Sequence, residues 1–428
     1  MRRFCISLAV LFGLLLALQP VFAQETEKQS VFEVSGTMTT GIFVHFTDMI
    51  DKGPFIQVLG EEGVPVLFEF KTRFSTPSGN AGLRFNIEAS TGDITVDKHQ
   101  NASISRYINF PTAYGWLKAF KGILTVYGGY WDPEIYETMG PLESDLGMKN
   151  TGMIIQVQPI PGLTLAPSVW AKMGDSTLLK EGKYMFSASY EFRDMFKVLV
   201  NYAHYQFDNE GFTDEDNPST YREQASKDHR INFSFNYTGL KEIAGLTKMA
   251  LDFEMRDLGG GRRFYQDTGF SPDFVPVGDV IRPLYLGQWI QWQHTGITLN
   301  LKASQLFLIG AGNYDNYAPS LRFELSGSYI IDDIFVPKAG VGFYLHSRVW
   351  DKGASDLRFG EKANWEDCKK DLMGLGARIG CEFRFLRIPS NLLELGYSLK
   401  IDLSKDAEAT PAWSTYDHGF YAMLKVSL

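Results

Sequence analysis

The sequence predicts an all-β chain, a transmembrane antiparallel up-and-down barrel of about 18 strands, with about 16 as the alternative count. Three observations lead there. Apolar and polar residues alternate with period 2 along nearly the whole chain. Phe (32), Tyr (20), Trp (8) and Gly (41) are abundant while charged residues are only 21%. After the first two dozen residues no apolar run approaches the roughly 18 residues a membrane helix needs, so spanning helices are excluded. A barrel meets all three conditions, because its strands carry an apolar face toward lipid and a polar face toward the lumen.

The chain opens with Met1-Arg2-Arg3, an apolar stretch at residues 7–18 and Val21-Phe22-Ala23. A basic head, a short apolar middle and small residues before a cut describe a secretory signal peptide over residues 1–23. Residues 24–31 then form a leader and 32–428 a single barrel domain.

The strands follow from alternation. In residues 66–74, Val66, Phe68, Phe70, Thr72 and Phe74 oppose Leu67, Glu69, Lys71 and Arg73. In residues 81–89, Leu83, Phe85 and Ile87 oppose Arg84, Asn86 and Glu88, and in residues 230–237, Ile231, Phe233 and Phe235 oppose Arg230, Asn232 and Ser234. The same reading gives strands at 32–47, 64–75, 80–91, 111–120, 122–132, 149–159, 161–173, 182–193 and 195–207. It continues at 228–239, 245–257, 283–295, 297–308, 319–331, 335–349, 373–385, 389–403 and 416–428. Three of them, 111–120, 149–159 and 283–295, have blurred parity, and the last suggests a bulge or break. Tight turns fall at Pro77-Ser78-Gly79, Lys121-Gly122, Pro159 to Gly162, Arg193-Asp194, Leu240 to Ala244, Gly296, Asp332-Asp333 and Arg387-Ile388-Pro389. Longer loops lie between them at 48–63, 92–110, 133–148, 208–227, 258–282 and 350–372. Short periplasmic turns alternating with long extracellular loops are the barrel pattern, and they put both termini on the periplasmic side.

The net charge of −9 argues against nucleic-acid binding. Cys368 and Cys381 read as free thiols, since a dozen extended residues separate them by more than a disulfide spans. The seven histidines are dispersed, and no metal or nucleophile signature is present. The expectation is therefore a protein with no catalytic residues, no cofactor and no metal. Trp116, Tyr130, Trp131, Trp170, Tyr317 and Trp350 are candidates for aromatic girdles or for loop packing.

The terminal strand, with Phe420, Ala422, Leu424, Val426 and Leu428 on one side, resembles the last strand of outer-membrane barrels, although those most often end in Phe or Trp. Gly122-Ile123-Leu124-Thr125-Val126-Tyr127-Gly128 resembles the glycine-led strand before the inward-folding third loop of Gram-negative porins, and Pro161-Gly162-Leu163 resembles a porin strand opening. This resemblance to porins of 16–18 strands implies a water-filled channel for small hydrophilic solutes in the cell outer membrane. It also implies contact with outer-membrane lipid and insertion by the barrel-assembly machinery. It allows a homotrimer, although no residue marks a subunit interface. An adhesin or ligand-binding barrel, reading its partner with its loops, is the alternative.

By parity the lumen carries Lys71, Arg73, Arg84, Arg230, Lys248, Arg256, Lys302, Arg322, Lys338, Arg348, Arg378, Arg384 and Lys400. Against them stand Glu69, Glu88, Glu191, Asp252, Glu254, Glu324, Glu382, Glu394 and Asp402. Cross-strand neutralisation in a wet lumen is the favoured reading, and mild anion preference is the other. The third long loop offers Glu134, Glu137, Glu143 and Asp145, which either face the basic wall across a constriction, as charged rings do in selective pores, or form a solvated acidic loop.

Overall fold

The computed structural model describes residues 31–47, 55–59, 66–96, 102–131, 133–142, 150–171, 183–206, 222–224, 227–256, 258, 262–265, 280–311, 317–347, 368–404 and 416–427. Eighteen long strands form the wall. They begin with β1 (Val31–Thr47), β2 (Val66–Ser75), β3 (Ala81–Val96), β4 (Ala102–Ala119), β5 (Leu124–Trp131) and β6 (Asn150–Ile160). Next come β7 (Leu163–Ala171), β8 (Lys183–Phe192), β9 (Phe196–Gln206), β10 (Lys227–Tyr237), β11 (Leu246–Met255) and β12 (Val280–His294). The wall ends with β13 (Ile297–Ile309), β14 (Ser320–Tyr329), β15 (Phe335–Leu345), β16 (Met373–Arg384), β17 (Leu392–Asp402) and β18 (Tyr416–Ser427).

Each strand pairs antiparallel with its sequence neighbours, and β1 closes the ring by pairing with both β2 (Gly36↔Phe70) and β18 (Met38↔Val426). Closure gives each of the 18 wall strands a partner on both sides, which is what allows a sheet to sit in hydrocarbon. Both ends of the barrel sequence lie at the short-turn end.

The short turns take backbone torsions that suit tightly twisted hairpins. Arg193 and Asp194 have φ of 45° and 56°, Asp332 and Asp333 of 51° and 58°, and Leu386 and Arg387 of 55° and 60°. Two consecutive positive φ values are the type I′ signature, whose twist matches the strands it joins. The Leu240 to Ala244 connection is a single helical turn, α1 (Lys241–Ala244), ended by Gly245 at φ 72°.

The strand register orders two faces. Outward positions such as Phe70, Leu83, Leu251, Leu325, Ile379 and Phe420 are exposed. In lipid each such side chain contributes about 1.5–3 kcal/mol relative to water. The opposite face, which is the interior, is where the polar side chains and the buried rings lie.

Some boundaries differ from the sequence expectation. The wall is taller at the long-loop end, since β3 and β4 run through most of 92–110 and leave only 97–101 outside the described residues. Inside the expected loops, Phe55–Leu59 pairs along β1, and Arg222–Gln224 pairs with Arg262–Tyr265. The suggested break in 283–295 is absent, because β12 pairs with β13 without a shift from Arg282 to His294. The irregularity sits in the facing strand, where the register slips between Leu246 and Lys248. The signal segment lies outside the described residues.

Candidate functional site

The interior is narrowed by the segment after β5. Residues 133–142 leave the wall at Trp131 and turn through a short 3₁₀ helix, Glu134–Tyr136. They then cross the inner faces of β7 to β12. One small polar side chain per strand marks the track. The Ser168 hydroxyl on β7 accepts from the Tyr136 hydroxyl at 2.6 Å, and Ser187 on β8 donates to the Ile135 carbonyl at 3.2 Å. Asn201 on β9 donates to the Tyr136 carbonyl at 2.8 Å. Ser234 on β10 accepts from Met139 N–H at 2.8 Å. Asp252 on β11 accepts from Gly140 N–H at 3.0 Å, from Leu142 N–H at 3.1 Å and from the Ser234 hydroxyl at 2.5 Å. Within the loop, Thr138 Oγ1 donates to the Leu142 carbonyl.

Two glycines admit this path. A Cβ at Gly140 would lie 2.1 Å from Asp252 Oδ2, and one at Gly287 on β12 would lie 2.7 Å from Leu142 Cγ. Apolar packing completes the anchor. Tyr136 and Leu142 are fully buried, and Tyr136 packs with Trp131, Ile154, Ala166, Trp170, Met185 and Ala203 on the inner wall. Burial pushes the Tyr136 hydroxyl up to about 12, so it stays a donor across the physiological range. A second inward fold lies farther around the ring. There the Tyr317 hydroxyl accepts from Leu308 N–H at 2.9 Å, and Cys368 packs on the buried Leu306.

The charged residues expected in the lumen lie on the face opposite the exposed apolar one. Many are paired along or across strands. Lys71 meets Glu69 at 3.0 Å, Arg73 meets Glu33 at 3.8 Å and lies over the Trp116 ring at 5.2 Å. Arg256 pairs with Glu254 and stacks on Tyr285, while Arg322 lies over Tyr344. On β15 to β18, Lys338 joins Glu382 and, at 3.1 Å, Glu394, which also accepts from Tyr421 at 3.0 Å. Arg384 meets Glu382 at 3.2 Å. Lys248 and Lys302 flank the Trp289 ring at 3.5 and 4.7 Å. Arg230, Arg378, Glu88 and Glu324 share the inner face with them by register.

Among the constriction candidates, Glu134 and Glu137 are exposed on the inward loop. Glu134 and Arg84 line one cavity of about 250 Å³, floored by Tyr114, Tyr127 and Trp131. Glu143, Asp145 and Arg348 lie outside the described residues.

Of the two readings of the aromatic residues, girdle or loop packing, the second holds for Trp131 and Trp170, which pack with Tyr136 of the inward loop. Trp116, Trp131 and Trp170 are buried on the inner face, and Tyr317 packs inside as well. Trp350 lies outside the described residues. Neither Cys368, which is buried, nor Cys381, on β16, forms a disulfide among the described residues. The residues that seat the loop, Tyr136, Ser168, Ser187, Asn201, Ser234 and Asp252, were not singled out from the sequence as a group. A signal did exist: wherever the loop docks, the inner face carries serine, asparagine or an apolar residue in place of the long charged residues found elsewhere.

No protein-family model matches the chain, and no curated protein does. Solved structures share its fold. OccAB1 of Acinetobacter baumannii is 11% identical, with 93% of this chain and 97% of that one covered at a TM-score of 0.52. A double variant of OccD1 (OprD) is 10% identical over 95% and 97%, with a TM-score of 0.50. OpdL of Pseudomonas aeruginosa is 11% identical over 93% and 99%, with a TM-score of 0.48.

Proposed function

We propose that the protein is an outer-membrane porin, a water-filled channel through which small hydrophilic solutes diffuse passively, and that residues 1–23 are a signal peptide removed on export. The observation that carries this reading is the pairing of an apolar outer face with a charged inner face in a closed ring of 18 strands. A barrel of roughly 16–18 strands is too wide for side chains alone to fill, so water occupies its axis. The segment 133–142 then sets the aperture, with Glu134 and Glu137 on the loop and Arg84 on the facing wall. The abundance of ion pairs on the wall favours a lumen whose charges largely cancel, each pair in water contributing only about 0.2–1 kcal/mol.

Reconstitution tests it. Purified mature protein should insert into planar bilayers with steady ohmic steps, and liposomes carrying it should swell in sugars and amino acids. A chain that stays soluble without detergent, or a folded barrel that conducts nothing, refutes the proposal. Reversal potentials in a salt gradient should lie near zero if the wall is neutralised; a large shift in either direction refutes that part alone.

A further inference from the structure

The outer wall carries one feature that a lipid-facing surface does not explain. On β12 and β13 the outward positions Leu284, Leu286 and Ile290, and Leu299, Ala303 and Phe307, are apolar, but Gln288 and Gln305 interrupt them. Their direction is fixed by neighbours. Gly287 faces inward against Leu142, and Lys302 faces inward over Trp289, so the residues one step from Gly287 and three from Lys302 face out. The register pairs Gln288 with Ala303 and Leu286 with Gln305. The two carboxamides are therefore diagonal neighbours on one patch, about 7–8 Å apart at Cα.

They stand within the apolar band. The neighbouring outward residues Leu251 and Ile290 are 51% and 39% exposed, and Ile309 above them is 42% exposed. Gln288 is exposed and Gln305 half-buried, and neither side chain has a hydrogen-bond partner among the described residues. Each carboxamide brings two donors and a carbonyl acceptor. Hydrocarbon satisfies none of these, and a polar group left unmatched there is costly.

We infer that this patch is where two copies of the chain meet, with a twofold axis along the membrane normal between them. Such an axis keeps every residue at its own depth, so the patch of one copy meets the same patch of its partner and carboxamide faces carboxamide across the seam. A carboxamide both donates and accepts, which makes the pair self-complementary; an apolar partner or a lipid chain lacks that chemistry. The threefold ring that the resemblance to porins allows would set a different face opposite these residues. The inference rests on the outer face meeting hydrocarbon, which the conductance of each barrel tests separately.

The test counts subunits of labelled full-length protein in lipid bilayers by single-molecule photobleaching. The wild type should be dimeric. Gln288→Leu with Gln305→Leu should associate about tenfold more weakly, as expected for losing a few hydrogen bonds in a membrane. Heat-modifiable mobility and unitary conductance, unchanged in the double variant, show that its barrel is intact. As a second measurement, Gln288→Cys in a Cys381→Ser background should cross-link to itself, whereas Leu325→Cys in that background should not. A monomeric wild type, a threefold assembly, or a dimer that survives the double substitution overturns the inference.

Discussion

Replacing Asp252 with alanine should release the constriction. In the folded protein its carboxylate accepts two backbone N–H groups, from Gly140 at 3.0 Å and Leu142 at 3.1 Å, and orients Ser234 at 2.5 Å, which in turn holds Met139. Hydrogen bonds to a charged acceptor are worth about 1.5–3 kcal/mol each. Two of them would give about 3–6 kcal/mol if nothing replaced them. Water in the lumen does replace part of that, so a net of about 2–4 kcal/mol is the reasonable figure. At about 1.4 kcal/mol per decade this shifts the ratio of released to docked loop by roughly 30- to 1000-fold. The apolar seat of Tyr136 remains, so release should be confined to the stretch near residues 138–142. Single-channel recording reads the change as larger or noisier unitary conductance, and liposome swelling reads it as passage of bulkier sugars. Limited proteolysis should gain cuts in that stretch, while the heat-modifiable mobility of the barrel stays as in the wild type. Unchanged conductance together with an unchanged protease pattern would show that Asp252 does not hold the loop, and the account of the aperture would fail with it.

Four further outcomes follow from the same structure. Tyr136→Phe removes hydroxyl donation to Ser168 at 2.6 Å and to the Ala166 carbonyl at 3.1 Å, which should loosen docking by about 1–2 kcal/mol and appear as added open-channel noise. Because burial raises the pKa of that hydroxyl from 10.0 to about 12, the docked state should hold below pH 10.0 and be lost as pH rises through about 12. Tyrosinate absorbance set beside conductance checks this, and loosening already at neutral pH would contradict it. Leu325→Arg, on an outward residue 46% exposed, should cost about 2–4 kcal/mol of folding stability in bilayers, measured by urea titration in liposomes; no loss would mean that the outer face does not meet lipid. Gly152→Ala places a Cβ 2.2 Å from the Trp170 ring and should destabilise the barrel by about 1–3 kcal/mol through overpacking, visible as a lower urea midpoint.

Strand existence and order were legible because lipid on one side and water on the other impose a strict period of 2, and a one-residue slip would invert every side chain. Loop length was legible in outline, yet β3 and β4 rise well beyond the expected ends. There the alternation is weak, since the register of this hairpin slips between Asn86 and Glu88 and again between Thr91 and Ile94. Within the site, the charged wall could be read by parity alone. The seat of the loop could not, since it is assembled from one residue on each of several strands and only the register brings Ser168, Ser187, Asn201, Ser234 and Asp252 into line.

The three segments of blurred parity carry a common meaning that only the folded ring discloses. In β4, β6 and β12 the inner face holds Tyr114 and Trp116, Ile154, and Tyr285 and Trp289 respectively, so both faces are apolar at those points and alternation fades. Two of the inward tryptophans on this side of the ring, Trp116 and Trp170, sit opposite a glycine in register, Gly82 and Gly152, where a Cβ would come within 2.3 and 2.2 Å of the ring. A ring that lies flat on a facing glycine occupies lumen that would otherwise be water, and it supplies an apolar floor for a loop whose own Tyr136 must be covered. Loss of alternation in a wide barrel is therefore a sign of filled lumen and not of a broken strand. By the same reasoning, an outward polar residue such as Gln288 blurs parity from the other side, and the strand that carries both kinds of exception, β12, is the one where the inner loop and the outer patch lie back to back.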